Sequence, residues 1–206
     1  MLQNPYKGKL IAIDGPNGSG KSTIIERLKE KFKKLDLPVY FTREPSDSKI
    51  GMFTRQFSEQ CKGASVACLV GADRYYHLEQ ELIPRLKAGD LVFTDRYILS
   101  SLILQGMDEV STSLICNINS EIIKPDLQIA IWASKDTLQA RLKERSTLTR
   151  FEKEDQSERE LIYMQTGIDT LESMGVKCVT IYNDCNLNKN VEQIISCVLN
   201  LGGNNE

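Results

Sequence analysis

Histidine is nearly absent: His77 is the only one in 206 residues. It sits in Tyr75-Tyr76-His77, away from every glycine-rich or arginine-bearing segment. Chemistry built on an imidazole base therefore has no obvious carrier, and His77 is expected to pack or to lie at the surface. Long apolar runs are also missing, and none approaches the roughly 20 residues that cross a membrane as a helix. Met1 to Lys9 is too polar for a secretory leader. Neither sign of charge dominates, since 26 Lys and Arg stand against 28 Asp and Glu, for a net charge of −2. This excludes a global pull towards nucleic acid or an anionic membrane, and it disfavours a nucleic-acid motor. Any anion site must be local. The six cysteines (Cys61, Cys68, Cys116, Cys178, Cys185 and Cys197) contain no C-x-x-C pair. Metal binding by thiolate is set aside, and reduced thiols in a cytoplasmic protein are expected. With no repeat and no long linker, residues 1–206 are expected to form a single domain.

Short apolar runs alternate with longer helical stretches. Lys9-Leu10-Ile11-Ala12-Ile13 reads as a buried strand ending at Asp14. Ile24, Leu28, Phe32 and Leu35 recur at helical spacing over roughly 20–35. Val39–Thr42 is a second strand. A long helical region is expected from about 66 to 87, with Pro84 bending or shortening its end. Leu91–Thr94 is a third strand, with Asp95 capping the next element. Leu127–Trp132 and Val176–Ile181 are the fourth and fifth strands, with helices near 135–145, 156–173 and 189–200. Five strands alternating with helices predict an α/β fold with a parallel sheet. Ligands then bind beyond the strand carboxyl ends, where Asp14, Arg43, Asp95 and Asn183 lie.

The segment Gly15-Pro16-Asn17-Gly18-Ser19-Gly20-Lys21-Ser22, followed by Thr23, satisfies G-x-x-x-x-G-K-[ST] between a predicted strand and a predicted helix. Such a loop curls its backbone N–H groups inwards around phosphate. Lys21 can reach the β- and γ-phosphates, and the Ser22 hydroxyl can ligate Mg²⁺. The motif fixes a nucleoside triphosphate and leaves the acceptor open. Arginines supply a second anion site: Thr42-Arg43-Glu44-Pro45 ends strand two, Thr94-Asp95-Arg96-Tyr97 ends strand three, and Ala72-Asp73-Arg74 lies on the helix between them. The guanidinium fork suits phosphate, and three of them are expected to converge opposite the P-loop.

With these segments in place, the chain resembles the thymidylate kinase family in its bacterial form. The similarity extends to Asp95-Arg96-Tyr97-Ile98-Leu99-Ser100 continuing to Gln105-Gly106, to Lys124-Pro125-Asp126-Leu127 and to Arg150-Phe151-Glu152. Order and spacing agree from about residue 9 to 182. The resemblance implies a three-layer α/β/α P-loop NTPase with a five-stranded parallel sheet and a helical lid over about 141–155. It implies transfer of the γ-phosphate of ATP to dTMP on the route to dTTP. Arg43 and Arg96 would hold the acceptor phosphate, and Arg74 the pyrimidine edge. Ser100, Ser101 and Gln105 sit where the family contacts the base. Asp95 would organise Mg²⁺ through water. Arg141, Arg145 and Arg150 fall in the lid region, where Arg145 or Arg150 would supply the cation that uncharged Pro16, Asn17 and Ser19 do not. A homodimer through the helices near 66–83 and 98–120 is implied as well, with Val66, Leu69, Leu102 and Ile103 as core or interface.

Four features depart from the family. Val70 replaces a phenylalanine that stacks on thymine, Leu104 replaces an aromatic residue near the sugar, and Asn17 replaces a P-loop acid. Ser46-Asp47-Ser48-Lys49-Ile50 lacks paired glycines. All four touch the acceptor pocket, so another or a modified nucleotide remains an alternative acceptor. A nucleoside kinase would need Glu44 as a base. A degenerate nucleotide-binding switch would keep ATP binding without phosphotransfer.

Overall fold

In the computed structural model the described residues are 1–144 and 156–202. Strands β1 (Lys9–Asp14), β2 (Val39–Arg43), β3 (Leu91–Asp95), β4 (Leu127–Trp132) and β5 (Cys178–Tyr182) form one sheet in the order β2-β3-β1-β4-β5. Every pairing is parallel. The central strand β1 is buried on both faces, which explains its uninterrupted apolar run. Ile11 and Ile13 face α1 (Lys21–Phe32) and α9 (Leu187–Leu199), in a cluster with Ile24, Leu28, Phe93, Ile129 and Ile194. Leu10 and Ala12 face the other cluster, with Val92, Leu99, Leu102, Met164 and Ile168. Helices α3 (Ala64–His77), α4 (Ile83–Ala88), α5 (Ile98–Met107) and α8 (Ser157–Ser173) lie on that side, giving three layers. The remaining helices are α2 (Lys49–Ser58), α6 (Thr112–Ile118) and α7 (Lys135–Lys143).

Several local expectations need correction. The helix expected over 66–87 continues through a π-helical turn at Leu78–Leu82, and Pro84 opens α4 instead of ending the region. A widened turn tolerates a residue without an amide N–H. Asp95 does not cap α5. The cap position is Tyr97, with no side-chain cap bond. The work falls to Asp14, whose Oδ1 accepts from the amides of Tyr97 and Ser100, both at 3.0 Å. Helix α2 escapes the periodicity analysis, although Ser48 caps it by accepting from the Gly51 amide at 3.0 Å. Val66, Leu102 and Ile103 are core residues, not an interface, while Leu69 is half-buried. The cysteines are unpaired. Among the described residues no helix is long and apolar enough to cross a membrane.

Candidate active site

The P-loop leaves β1 and enters α1 under tight backbone constraint. A Cβ on Gly15 would come within 2.3 Å of the Ile131 carbonyl oxygen. Gly20 has φ 88° and lies so close to Asn183 that a Cβ there would sit 2.5 Å from its Nδ2. That approach has a purpose. Asn183, just past β5, donates from Nδ2 to the Ser19 carbonyl at 2.8 Å and is itself held by Asn190 at 3.0 Å. Arg141 reaches over from α7, donating to the carbonyls of Gly18 (3.3 Å), Ser19 (3.2 Å) and Asn183 (2.8 Å). Ser134 caps α7 and is bound with Thr137 to Asp184, whose carboxyl these donors pull below its ordinary range. Arg141, Gly20, Thr23, Asn183, Asp184, Cys185 and Leu187 line a cavity of about 200 Å³ beside the loop.

Lys21 is buried and donates to the carbonyls of Gly15 (2.7 Å) and Pro16 (2.8 Å). Burial first, and the charge of Arg96 second, lower its pKa to about 7. Ser22 and Asp95 share a cavity of about 360 Å³ with Lys21, and Asp95 Oδ1 is buried without a hydrogen-bond partner. An unpartnered carboxylate oxygen on a residue that lines the same cavity as a serine suits Mg²⁺, which uses few protein ligands together with phosphate oxygens. Ser22 and Asp95 therefore fit the ion.

The same cavity is walled by Arg43, Arg55 and Arg96. Arg43 is exposed and donates to Asp47 Oδ1 at 2.6 Å, which holds that carboxyl below its usual range. Arg55, on α2, donates to the Pro45 and Ser46 carbonyls, the latter at 3.2 Å. The loop carrying them is anchored from α3, where buried Asp73 accepts from the Ser46 amide at 2.7 Å. Arg96 is in the left-handed region, with φ 74°, a conformation that costs about 1–2 kcal/mol outside glycine. Its amide donates to Ile13 O at 3.0 Å, and its carbonyl accepts from Thr94 Oγ1 at 2.8 Å. The guanidinium donates to Ser100 Oγ at 3.2 Å and to Asn17 Oδ1 at 3.0 Å.

Arg74 differs from the other arginines. It is 1% exposed and donates to Glu44 Oε2 (2.8 Å), Asn119 Oδ1 (2.6 Å), the Tyr97 carbonyl and Ser101 Oγ (both 3.0 Å). It touches a second cavity of about 160 Å³, together with Val70, Ser100, Ser101, Leu104 and Gln105. This cavity shares Asn17, Glu44, Pro45 and Arg96 with the larger one and so adjoins it. Gln105 is buried there with Oε1 unpartnered. Glu44 is held on one side by Arg74, and on the other its Oε1 lies 3.5 Å from His77 Nδ1. His77 is therefore a buried structural group, with Nε2 2.8 Å from Thr42 Oγ1.

The Thymidylate kinase family model matches residues 13–194. A probable thymidylate kinase of Pyrobaculum aerophilum is 39% identical over 147 residues, covering 69% of this chain and 73% of the relative. The thymidylate kinase of Caldicellulosiruptor saccharolyticus is 36% identical over 183 residues, covering 85% and 88%. The chain belongs to the thymidylate kinase family. A crystal structure of thymidylate kinase from Ehrlichia chaffeensis has the same fold, with a TM-score of 0.71 at 20% identity over 93% of this chain and 98% of that one.

Against the family pattern, the structure collects the P-loop, Arg43, Arg96, Arg74, Ser100, Ser101, Gln105, Val70 and Leu104 around two adjoining cavities. Arg145 and Arg150 lie outside the described residues. Two contributors, Arg55 and Glu160, escape the sequence analysis, and a third, Asp14, is named there without its partners. Arg55 belongs to the unforeseen helix α2, and the Ser48 cap is the local signal that could reveal it. Asp14 is recognisable as a strand-end acid, but its partners are not. Glu160 carries no signal: it is 2% exposed on α8 and accepts from the Asn17 amide and from Asn17 Nδ2, both at 2.8 Å. Burial raises its carboxyl, while those bonds and the charges of Lys21 and Arg96 pull it back.

Proposed function

We propose that the protein transfers the γ-phosphate of ATP to dTMP, giving ADP and dTDP, as one nucleoside-monophosphate kinase domain over residues 1–206. One observation supports this most strongly. One cavity is lined by the P-loop with Lys21 and by Arg43, Arg55 and Arg96, and a smaller, mostly apolar cavity that shares Asn17, Glu44, Pro45 and Arg96 with it holds one unpartnered amide oxygen. Two anions repel each other, and cations gathered around one cavity offset that repulsion. An acceptor phosphate oxygen bonds to the γ-phosphorus as the bond to the β-phosphate oxygen breaks. The acceptor is already ionised near neutral pH, so no strong base is needed. Ser22, and Asp95 through water, would hold Mg²⁺, which would supply neutralisation of the triphosphate charge. Arg43 and Arg96 hold the acceptor phosphate, Arg141 lies on the ATP side, and Arg145 or Arg150 brings the lid cation. Gln105 accepts from the ring N–H of the base, and Ser100, Ser101 and Arg74 frame its pocket. The bacterial form is carried by uncharged Pro16, Asn17 and Ser19, although the relatives are mostly archaeal. A cytoplasmic homodimer completes the proposal, with exposed Met52 and Phe53 on α2 and Tyr76 on α3 as its apolar face.

The nucleoside alternative loses support at Glu44, whose carboxylate is engaged by Arg74 and His77 instead of standing free as a base. Val70 and Leu104 keep a modified pyrimidine nucleotide as the second acceptor to test, since among the described residues no aromatic side chain lines the pocket. ADP formation measured across the common deoxy- and ribonucleoside monophosphates, with nucleosides as controls, tests the proposal. dTMP should give the highest kcat/KM. Faster turnover of a nucleoside or a purine monophosphate would refute it.

A further inference from the structure

Asn17, Arg96 and Glu160 form a chain whose polarity is set at each end. Ionised Glu160 only accepts hydrogen bonds, and Arg96 only donates them. The Asn17 amide has one end of each kind. Its Nδ2 faces Glu160 Oε1 at 2.8 Å, and its Oδ1 faces Arg96 at 3.0 Å. The second Glu160 oxygen holds the Asn17 backbone amide at 2.8 Å. Turning the Asn17 amide over would set its NH₂ group against the guanidinium. Glu160 is 2% exposed, whereas Asn17 and Arg96 line both cavities.

We infer that Glu160 is a positioning residue for acceptor binding: by accepting from Asn17 it dictates which end of that amide meets Arg96, and so where the guanidinium points. The inference rests on the acceptor site proposed above. It accounts for a carboxylate buried on α8 against the P-loop, a position whose desolvation cost needs an opposing gain.

A swap of charge between the two positions tests it, using the full chain with wild type measured first. Glu160→Gln keeps the shape but cannot accept from the Asn17 backbone amide and from Asn17 Nδ2 at once, because one of its two terminal atoms is now a donor. Asn17→Asp sets two carboxylates face to face. Each single variant should raise the KM for dTMP about tenfold, the scale of one charge-assisted hydrogen bond, and Glu160→Gln should do so with the KM for ATP nearly unchanged. The double variant N17D/E160Q rebuilds the chain with the charge moved one place along. The new carboxylate at position 17 accepts both from the new side-chain amide at position 160 and from Arg96. Its KM for dTMP should return to within about threefold of wild type, a coupling that a merely structural role would not give. If neither single variant folds, the double variant decides alone. A double variant no better than the singles, an E160Q protein matching wild type, or a raised KM in a lone folded double variant would each overturn the inference. Failure of wild type to use dTMP would instead count against the function itself.

Discussion

Lys21 directs its protons at the loop that holds it, donating to the Gly15 and Pro16 carbonyls. Burial and the Arg96 charge depress its pKa to about 7. Without nucleotide, the unfolded chain binds more protons than the folded one between about pH 7 and the ordinary lysine range. Stability contributed by this group therefore rises with pH over that window. A polyphosphate reverses the field and favours the ammonium form. ATP binding at pH 8 should therefore take up a proton, in an amount approaching one per site, and at pH 6 Lys21 should take up almost none. Calorimetry in buffers of different ionisation enthalpy measures this, with Lys21→Met as the reference. Equal proton uptake by wild type and variant at pH 8 would contradict the assignment. The glycines and Lys21 are legible in the sequence because the motif is local. The Glu160 and Asn183 contacts are not, because each joins the loop to a residue more than 140 positions away.

Helices α5 and α8 pack closely because of two glycines. A Cβ on Gly106 would come 2.7 Å from the Tyr163 ring, and one on Gly167 would come 2.7 Å from Leu99 Cδ1 and 3.2 Å from Leu102 Cβ. This packing sets α8, and hence Glu160, against the P-loop. Gly167→Val should destabilise by about 1–3 kcal/mol through overpacking, with a fall in Tm of roughly 3–10 °C. An unchanged melting curve would show that the two helices separate freely. Most elements follow from periodicity, since β1, β3 and β4 are built mainly of apolar residues and α1 and α9 are amphipathic. Helix α2 does not, because its outer face carries exposed Met52 and Phe53, which blurs the polar and apolar pattern. The π-turn before Pro84 is invisible in the apolar repeat alone.

At the level of the molecule, α/β alternation and the P-loop are sufficient for the class of fold, and the family match extends it over most of the chain. The order β2-β3-β1-β4-β5 puts the P-loop strand at the centre, so that arginines from β2 and β3 flank the loop on one side and Asn183 after β5 does so on the other. Only the fold could reveal that Arg74 is walled in behind the smaller cavity while Arg55 lines the larger one beside the P-loop. The exposed apolar residues of α2 and α3 bear on assembly. Sedimentation should give the mass of two chains, and Phe53→Glu should lower it to one; a wild-type protein at 23.3 kDa would remove the dimer. In the proposed mechanism, backbone amides and Lys21 grip one polyphosphate while arginines from neighbouring strand tips grip a second anion in line with it. A crystal structure with a non-hydrolysable ATP analogue and dTMP tests this most directly. Arg43 and Arg96 should turn onto the dTMP phosphate, with Arg43 released from Asp47. Both guanidiniums facing away from that phosphate would contradict the mechanism.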